Sequence, residues 1–312
     1  PPQRFEAEGA MLQLLVNALA LGASYALLAL GFVLILNATS AVNFTQGDIV
    51  MAGGYVAIAL HSVLGWPGAL LLPLVVAVMA VSGVVFSLFA YFPLKDRPPV
   101  SVFISTIALG IVLQNSANAL IGAEPRKGPP LVGEGQFDLA GVTLSEQAVA
   151  IMVVAALLIG GQHLLLNHTG IGRRLRATAQ DRQMAEAVGI NVNGMIALTF
   201  AIGSALAGAA GLMLSNTFFV SPTDGSNYIL KAYIAVTIGG WGNLYGAVCG
   251  AMIIALFEVL YPALPVLIPT LKGVVPWLFT QTASSIVLYA ALLAIMFFRP
   301  QGLFGEKVQK RA

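Results

Sequence analysis

His163 and His168 are the two histidines nearest each other, and five residues apart they do not share a face of a helix. His61 lies at the end of an apolar run. Three scattered imidazoles make no metal site, and none is expected. Cys249 is the single cysteine, which excludes an intrachain disulfide and any multi-cysteine metal centre. No lysine is followed by Ser or Thr, so the chain has no phosphate loop of the Walker A kind. GASYA at 22–26 begins like a nucleophile elbow but fails at its final position. Nothing supports catalysis, and the chain is expected not to be an enzyme. Three charges remain in apolar surroundings. Asp48 opens an apolar run, where the positive end of a helix favours a carboxylate. Lys231 stands near the start of its segment, from which its side chain can snorkel to the interface. Glu258 falls well inside its run. A transporter driven by protons or sodium needs ionisable groups at mid-membrane. A lone Glu258 is thin support for that and fits structural pairing or an interfacial position better.

The elements that carry these residues are apolar and long. Of 312 residues, 58% are hydrophobic and 9% charged, against about 25% charged in an ordinary soluble domain. With a mean hydropathy of +0.88, the chain reads as all-α, a polytopic transmembrane helical bundle. Candidate spans are 11–36, 48–64, 68–92, 101–121, 147–166, 195–215, 229–262 and 280–298. The run 229–262 is too long for one span, and GGWGN at 239–243 divides it into two helical pieces. Eight or nine membrane-embedded helices follow. Residues 1–10 carry no apolar core and read as a segment upstream of a start at Met11; 11–305 form one transmembrane domain and 306–312 a cytoplasmic tail. A net charge of +2 with no long basic patch argues against nucleic acid as a partner.

Lysines and arginines set the orientation. Lys95 and Arg97 follow the third span, Arg173, Arg174, Arg176 and Arg182 follow the fifth, and Arg299, Lys307, Lys310 and Arg311 follow the last. These places are expected on the cytoplasmic side. The 122–146 loop, with Glu124, Glu134, Asp138 and Glu146 against Arg126 and Lys127, and the SPTDG turn at 221–225 fit the other side. Two interior places break the apolar pattern. NATSAVNFTQGD at 37–48 supplies hydrogen-bonding groups between the first two spans, and irregular backbone at membrane depth must be buried or line a wet cavity. GGWGNLYGAVCG at 239–250 spaces Gly242, Gly246 and Gly250 by four, a pattern that lets neighbouring backbones approach closely. Candidate path residues are therefore Asn43, Phe44, Gln46, Gly47 and Asp48 with Gly239, Gly240, Trp241 and Asn243. Plain packing and loop capping account for the same residues equally well.

RRLRATAQDRQMAEAVGI at 173–190 gathers four arginines in ten positions of a charge-poor chain. A continuous helix there puts Ala177, Met184, Ala187 and Val188 on one face and Arg182 and Glu186 on the other. Gly172 lets the backbone break from the preceding span, and Gly189 is placed to end the helix. Such an amphipathic helix suits a docking element for a partner that supplies energy. It also suits a positive-inside loop lying on lipid headgroups.

The stretch 172–214 resembles the cytoplasmic coupling loop and following helix of LivH-type permeases, the membrane subunits of ATP-binding-cassette importers for branched-chain amino acids and related small solutes. Ala-x-Asp-x-x-Met-Ala-x-x-x-Gly-Ile at 179–190 is similar to that family's version of the EAA-type loop. GASYALLALGFVLI (22–35) followed by VNFTQGD, ISTIALGIVLQN (104–115), 231–258 and RPQGLFG (299–305) resemble further family blocks in the same order. The resemblance implies a coupling helix carried by Gly172, Arg173, Arg174, Arg176, Asp181, Arg182, Met184, Ala185, Val188 and Gly189. It also implies a homologous second permease subunit, two cytoplasmic ATPases that bind ATP and Mg²⁺, and a periplasmic solute-binding protein, in the bacterial inner membrane. The chain itself would hold no cofactor. Thr45-Gln46-Gly47-Asp48 stands where many members have Ala-His-Gly-Glu, and Trp241 where a smaller residue is common, which leaves the solute open. The alternative is an ion-gradient-driven secondary transporter or channel working through Glu258 and Asp48.

Overall fold

The computed structural model describes residues 2–133, 135–139, 142–267, 276–299 and 301–304. Glu134 and the tail at 306–312 lie outside the described residues. Among those described, eight helices are long and apolar enough to cross a membrane. α1 (Pro2–Thr39) is continuous from Pro2, so residues 2–10 prolong the first helix. α2 (Gln46–Leu64) ends at Gly65, whose φ of 68° is one that a residue with a Cβ rarely adopts. α3 (Gly68–Phe86) runs on through a π turn at Ser87–Tyr91 and a 3₁₀ turn at Phe92–Leu94. α4 (Pro99–Ile121) precedes a loop and an antiparallel hairpin, β1 (Gln136–Leu139) and β2 (Val142–Ser145), in which Gln136 opposes Ser145. α5 (Glu146–His168) then leads into the basic stretch.

That stretch is two helices, not one: α6 (Gly170–Gln180) and α7 (Arg182–Ala187). The break falls at Asp181, which is extended at φ −154°, ψ 110°. Its carboxylate accepts a hydrogen bond from the Met184 N–H at 3.0 Å, so the side chain caps a new helix rather than riding inside the old one. The backbone likewise leaves α5 at Thr169, whose hydroxyl accepts from the Gly172 N–H at 3.0 Å; Gly172 sits inside the first turn of α6. Gly189, at φ 83°, follows α7.

α8 (Val192–Phe218) and α9 (Asp224–Gly239) come next, then α10 (Leu244–Leu267) and α11 (Gln281–Phe298). α9 and α10 are the two pieces expected of 229–262, separated by the turn at 240–243. At sixteen residues α9 is shorter than a full span, yet Tyr228, Ile229, Ala232 and Ile234–Gly239 are buried. It makes the ninth embedded helix.

The core forms where helices meet through small residues, because without water to expel, close van der Waals contact holds membrane helices together. α1 lies at the centre with Ala26, Leu27, Leu28, Ala29 and Phe32 fully buried, packed on α5, α8, α9 and α10. α2 crosses α8 where Gly53 meets the Gly208 backbone, and Gly208 in turn takes the Met79 side chain of α3; a Cβ on either glycine has no room. α10 crosses α9 the same way, with Gly246 against Gly239 and Gly250 against the Ala235 carbonyl. Gly242 does not share that packing face. It occupies the turn at φ 80°, because the chain must reverse before α10 begins.

Candidate functional site

The polar segment 37–48 folds back from the end of α1 and starts α2 well inside the bundle. The Gln46 amide donates to the Gly203 carbonyl at 3.0 Å, in the middle of α8. The Thr45 hydroxyl donates to the Thr106 carbonyl at 2.6 Å, and the Phe44 N–H to the Thr106 hydroxyl at 3.1 Å, inside α4. Phe44 also meets Phe103 edge-to-face at 4.8 Å. Asn43 accepts from the Thr45 N–H at 3.2 Å and so shapes the turn. The irregular backbone at depth has its partners within protein, as an apolar surrounding demands.

Asp48 is 5% exposed. Its carboxylate accepts from the Gln114 amide at 2.7 Å, and the same amide lies 3.4 Å from the Ser226 hydroxyl. Gly110 of α4 and Gly225 of α9 leave the room that this carboxylate fills, and Gly47 abuts the first turn of α9. The N-terminal turns of α2 and α9 therefore converge on one acid, whose charge both helix ends favour. Gln114 and Ser226 carry this cluster toward exposed Asn115 and Asn227 on the outer faces of α4 and α9.

The second candidate group lies elsewhere. Gly239–Asn243 sits at the far end of α9, about 24 Å of helix from Asp224. There the Asn37 amide donates to the Gly242 carbonyl at 2.9 Å. The Leu303 and Phe304 N–H groups donate to Ile238 and Gly239, and the Asn243 amide donates to the Phe304 carbonyl at 3.1 Å. Leu303 and Phe304 thus pin the end of α9. Trp241 packs edge-to-face on Tyr233 at 5.4 Å. The structure brings each group together and joins the two through the length of α9 and through the 37–48 segment, whose first residue, Asn37, bonds Gly242.

Lys231 does not snorkel. Its ammonium lies 2.7 Å from Glu258 Oε1 and 2.6 Å from the Tyr25 hydroxyl, and 4.9 Å from that ring's centre. Tyr25 donates to Glu258 Oε2 at 3.1 Å, and the Gln281 amide donates to Oε1 at 3.1 Å. An unpaired charge this deep is costly, so each takes the partner the neighbouring helix offers. The network ties α1, α9, α10 and α11 together.

On the charged side, the wheel drawn over 173–190 does not hold, because the break at Asp181 turns α7 away from α6. Ala185 is 3% exposed, while Met184 and Val188 are 67% and 75% exposed. Arg182 points inward and donates to the Ala38 carbonyl at the end of α1, at 2.7 Å. Arg173 and Arg174 are exposed; Arg176 reaches back to the Leu166 carbonyl and to Asn167. Leu175 and Thr178 are the buried anchors of α6.

The family model described as "Branched-chain amino acid transport system / permease component" matches residues 14–296. The chain belongs to that family. The permease is 31% identical to the high-affinity branched-chain amino acid transport system permease protein BraD of Pseudomonas aeruginosa, over 95% of this chain and 96% of the relative. It is 29% identical to LivH of Escherichia coli K12, again over 95% and 96%. A probable branched-chain amino acid transport permease LivH of Methanocaldococcus jannaschii is 30% identical over 91% of this chain and 89% of its own. The solved PsaBC structure from Streptococcus pneumoniae, in complex with Fab, matches at 16% identity over 96% of each chain with a TM-score of 0.45. The permease is a multi-pass protein of the bacterial inner membrane, with eight candidate spans among its described residues.

Sequence reasoning missed Gln114, Ser226, Tyr25 and Gln281. Thr106, Gly110 and Gln114 recur every four residues and share one face of α4. That periodicity was present to be read. Nothing local marks Tyr25 or Gln281, whose partners are remote in sequence.

Proposed function

We propose that this permease forms half of the translocation path of an ATP-driven importer for a branched-chain or similar small amino acid. The observation that carries the reading is the Asp48 cluster, where α2 and α9 both begin beside α4, and where α4 and α9 expose polar side chains in front of the buried acid. A zwitterionic amino acid passing there meets amides and hydroxyls, with Asp48 placed for its ammonium group. Two cytoplasmic ATPases binding ATP and Mg²⁺ supply the energy, and a periplasmic protein delivers the solute. Exposed Met184 and Val188 on α7 support the docking role: they leave apolar side chains facing outward beside arginines. Half-buried Arg182 ties that element to the end of α1, so movement of α7 is passed to the central helix.

Uptake in proteoliposomes tests this directly. With the partner subunits and delivery protein present, labelled leucine accumulates on ATP hydrolysis and ignores imposed gradients. Uptake that follows a proton or sodium gradient with no ATPase present overturns the proposal in favour of a secondary transporter. The Lys231 pairing of Glu258 already weighs against that rival, since a coupling carboxylate must be free to release its ion.

A further inference from the structure

A cavity of about 140 Å³ lies between α1, α5 and α10, with α6 beneath it. Leu30, Leu34, Ile159, Leu166, Leu175 and Val248 give it apolar walls. Gln162 projects among them, 7% exposed, and neither its amide nitrogen nor its oxygen has a hydrogen-bond partner among the described residues. An amide so placed asks for a ligand that both lies in an apolar slot and offers polar atoms at one depth.

The mouth of the cavity has a different chemistry. Exposed Tyr245 of α10 and His163 of α5 approach at 3.1 Å, bridging two helices that each pack on α1. Asn167 lies 3.0 Å from His163 and accepts from Arg176, an exposed residue of α6 that also donates to the Leu166 carbonyl. Asn167 stands five residues past Gln162 on α5, about 7 Å nearer the basic side of the membrane. From the membrane interior outward along α5, a ligand therefore meets Ile159, the Gln162 amide and, past Leu166, the Arg176 cation. That is the order of acyl chain, glycerol ester and phosphate in a phospholipid.

We propose that this cavity is a site for one anionic phospholipid of the cytoplasmic leaflet. The acyl chain enters between α5 and α10, the ester meets Gln162, and the phosphate rests on Arg176. Because Leu175 and Arg176 belong to α6, the lipid braces the coupling element against α1 and α5.

Native mass spectrometry of the delipidated full chain in detergent, titrated with chain-matched phosphatidylglycerol and phosphatidylcholine, tests the site. One phosphatidylglycerol should be retained, with roughly fivefold preference over phosphatidylcholine, the effect of one well-placed basic residue. Val248→Phe should fill the slot and lose that lipid, while Val248→Ala should keep it. Uniform retention of both lipids, or binding unchanged in Val248→Phe, overturns the proposal. Displacement by inorganic phosphate alone would instead mark a free-anion site and overturns the lipid. A phosphatidylglycerol with a diazirine on its acyl chain gives a check on the unaltered protein. Its label should fall on peptides containing Leu30, Leu34 or Ile159, and labelling only on outward faces would overturn the assignment.

Discussion

The Lys231–Glu258 pair shows how one residue's position is decided by what its neighbours lack. Both side chains are mostly covered, 18% and 10% exposed, and each supplies the charge that the other needs. Removing one partner strands the other, at a cost of about 3–5 kcal/mol. Lys231→Ala is therefore expected to lower thermal stability in detergent sharply. Lys231→Met with Glu258→Gln should recover most of the loss, because no buried charge is then left alone. Thermal melts of the single and double variants check this. Equal losses in both would mean the pair works through something other than mutual neutralisation. Lys231 was legible in the sequence as a charge inside an apolar run, but its fate was not. The partner is 27 positions away on another helix, and only the packing of α9 on α10 brings them within reach.

At the scale of elements, the breaks between helices were unequally legible. The GGWGN interruption was plain, because glycines without side chains cannot hold a helix against a turn. The break at Asp181 was not, because a helical pattern continues across it and only the capping hydrogen bond divides it. Gly246→Leu is expected to separate α9 from α10, since the added side chain meets the Gly239 backbone, which cannot move aside as a rotamer can. A drop in monodisperse yield and melting temperature would confirm it; unchanged behaviour would mean the crossing is looser than the structure shows. Met184→Glu tests a different element. Met184 is exposed, so the fold should tolerate the change, while a charge buried on docking should reduce ATP-driven uptake more than tenfold. Asp181→Arg should do the same and in addition remove the cap of α7, worth about 1 kcal/mol. Normal uptake in both variants would remove α7 from the coupling role.

Over the whole molecule, burial is uneven in a way that points outward. α1 and α8 are mostly buried, whereas α3, α4, α5 and α11 show most of their surface. Exposed Ile286, Leu293 and Phe297 on α11 suit lipid. α4 differs, because Asn115, Ser116 and Asn118 are exposed beside Gln114, and Asn227 is exposed on α9. The Asn115 amide donates to the Ile111 carbonyl of its own helix at 2.8 Å, but its oxygen and the other amides would go without partners in hydrocarbon, so this face needs water or a polar protein surface. In the proposed importer the second permease subunit meets this face, with the path between the two copies and Asp48 just behind it. A cysteine at Asn115, in a Cys249→Ser background, should then form an oxidative crosslink to a cysteine placed on the partner permease's equivalent helix. A cysteine at Phe297 should not. Crosslinking through Phe297 and none through Asn115 would move the interface to α11 and leave the Asp48 cluster without a path to line.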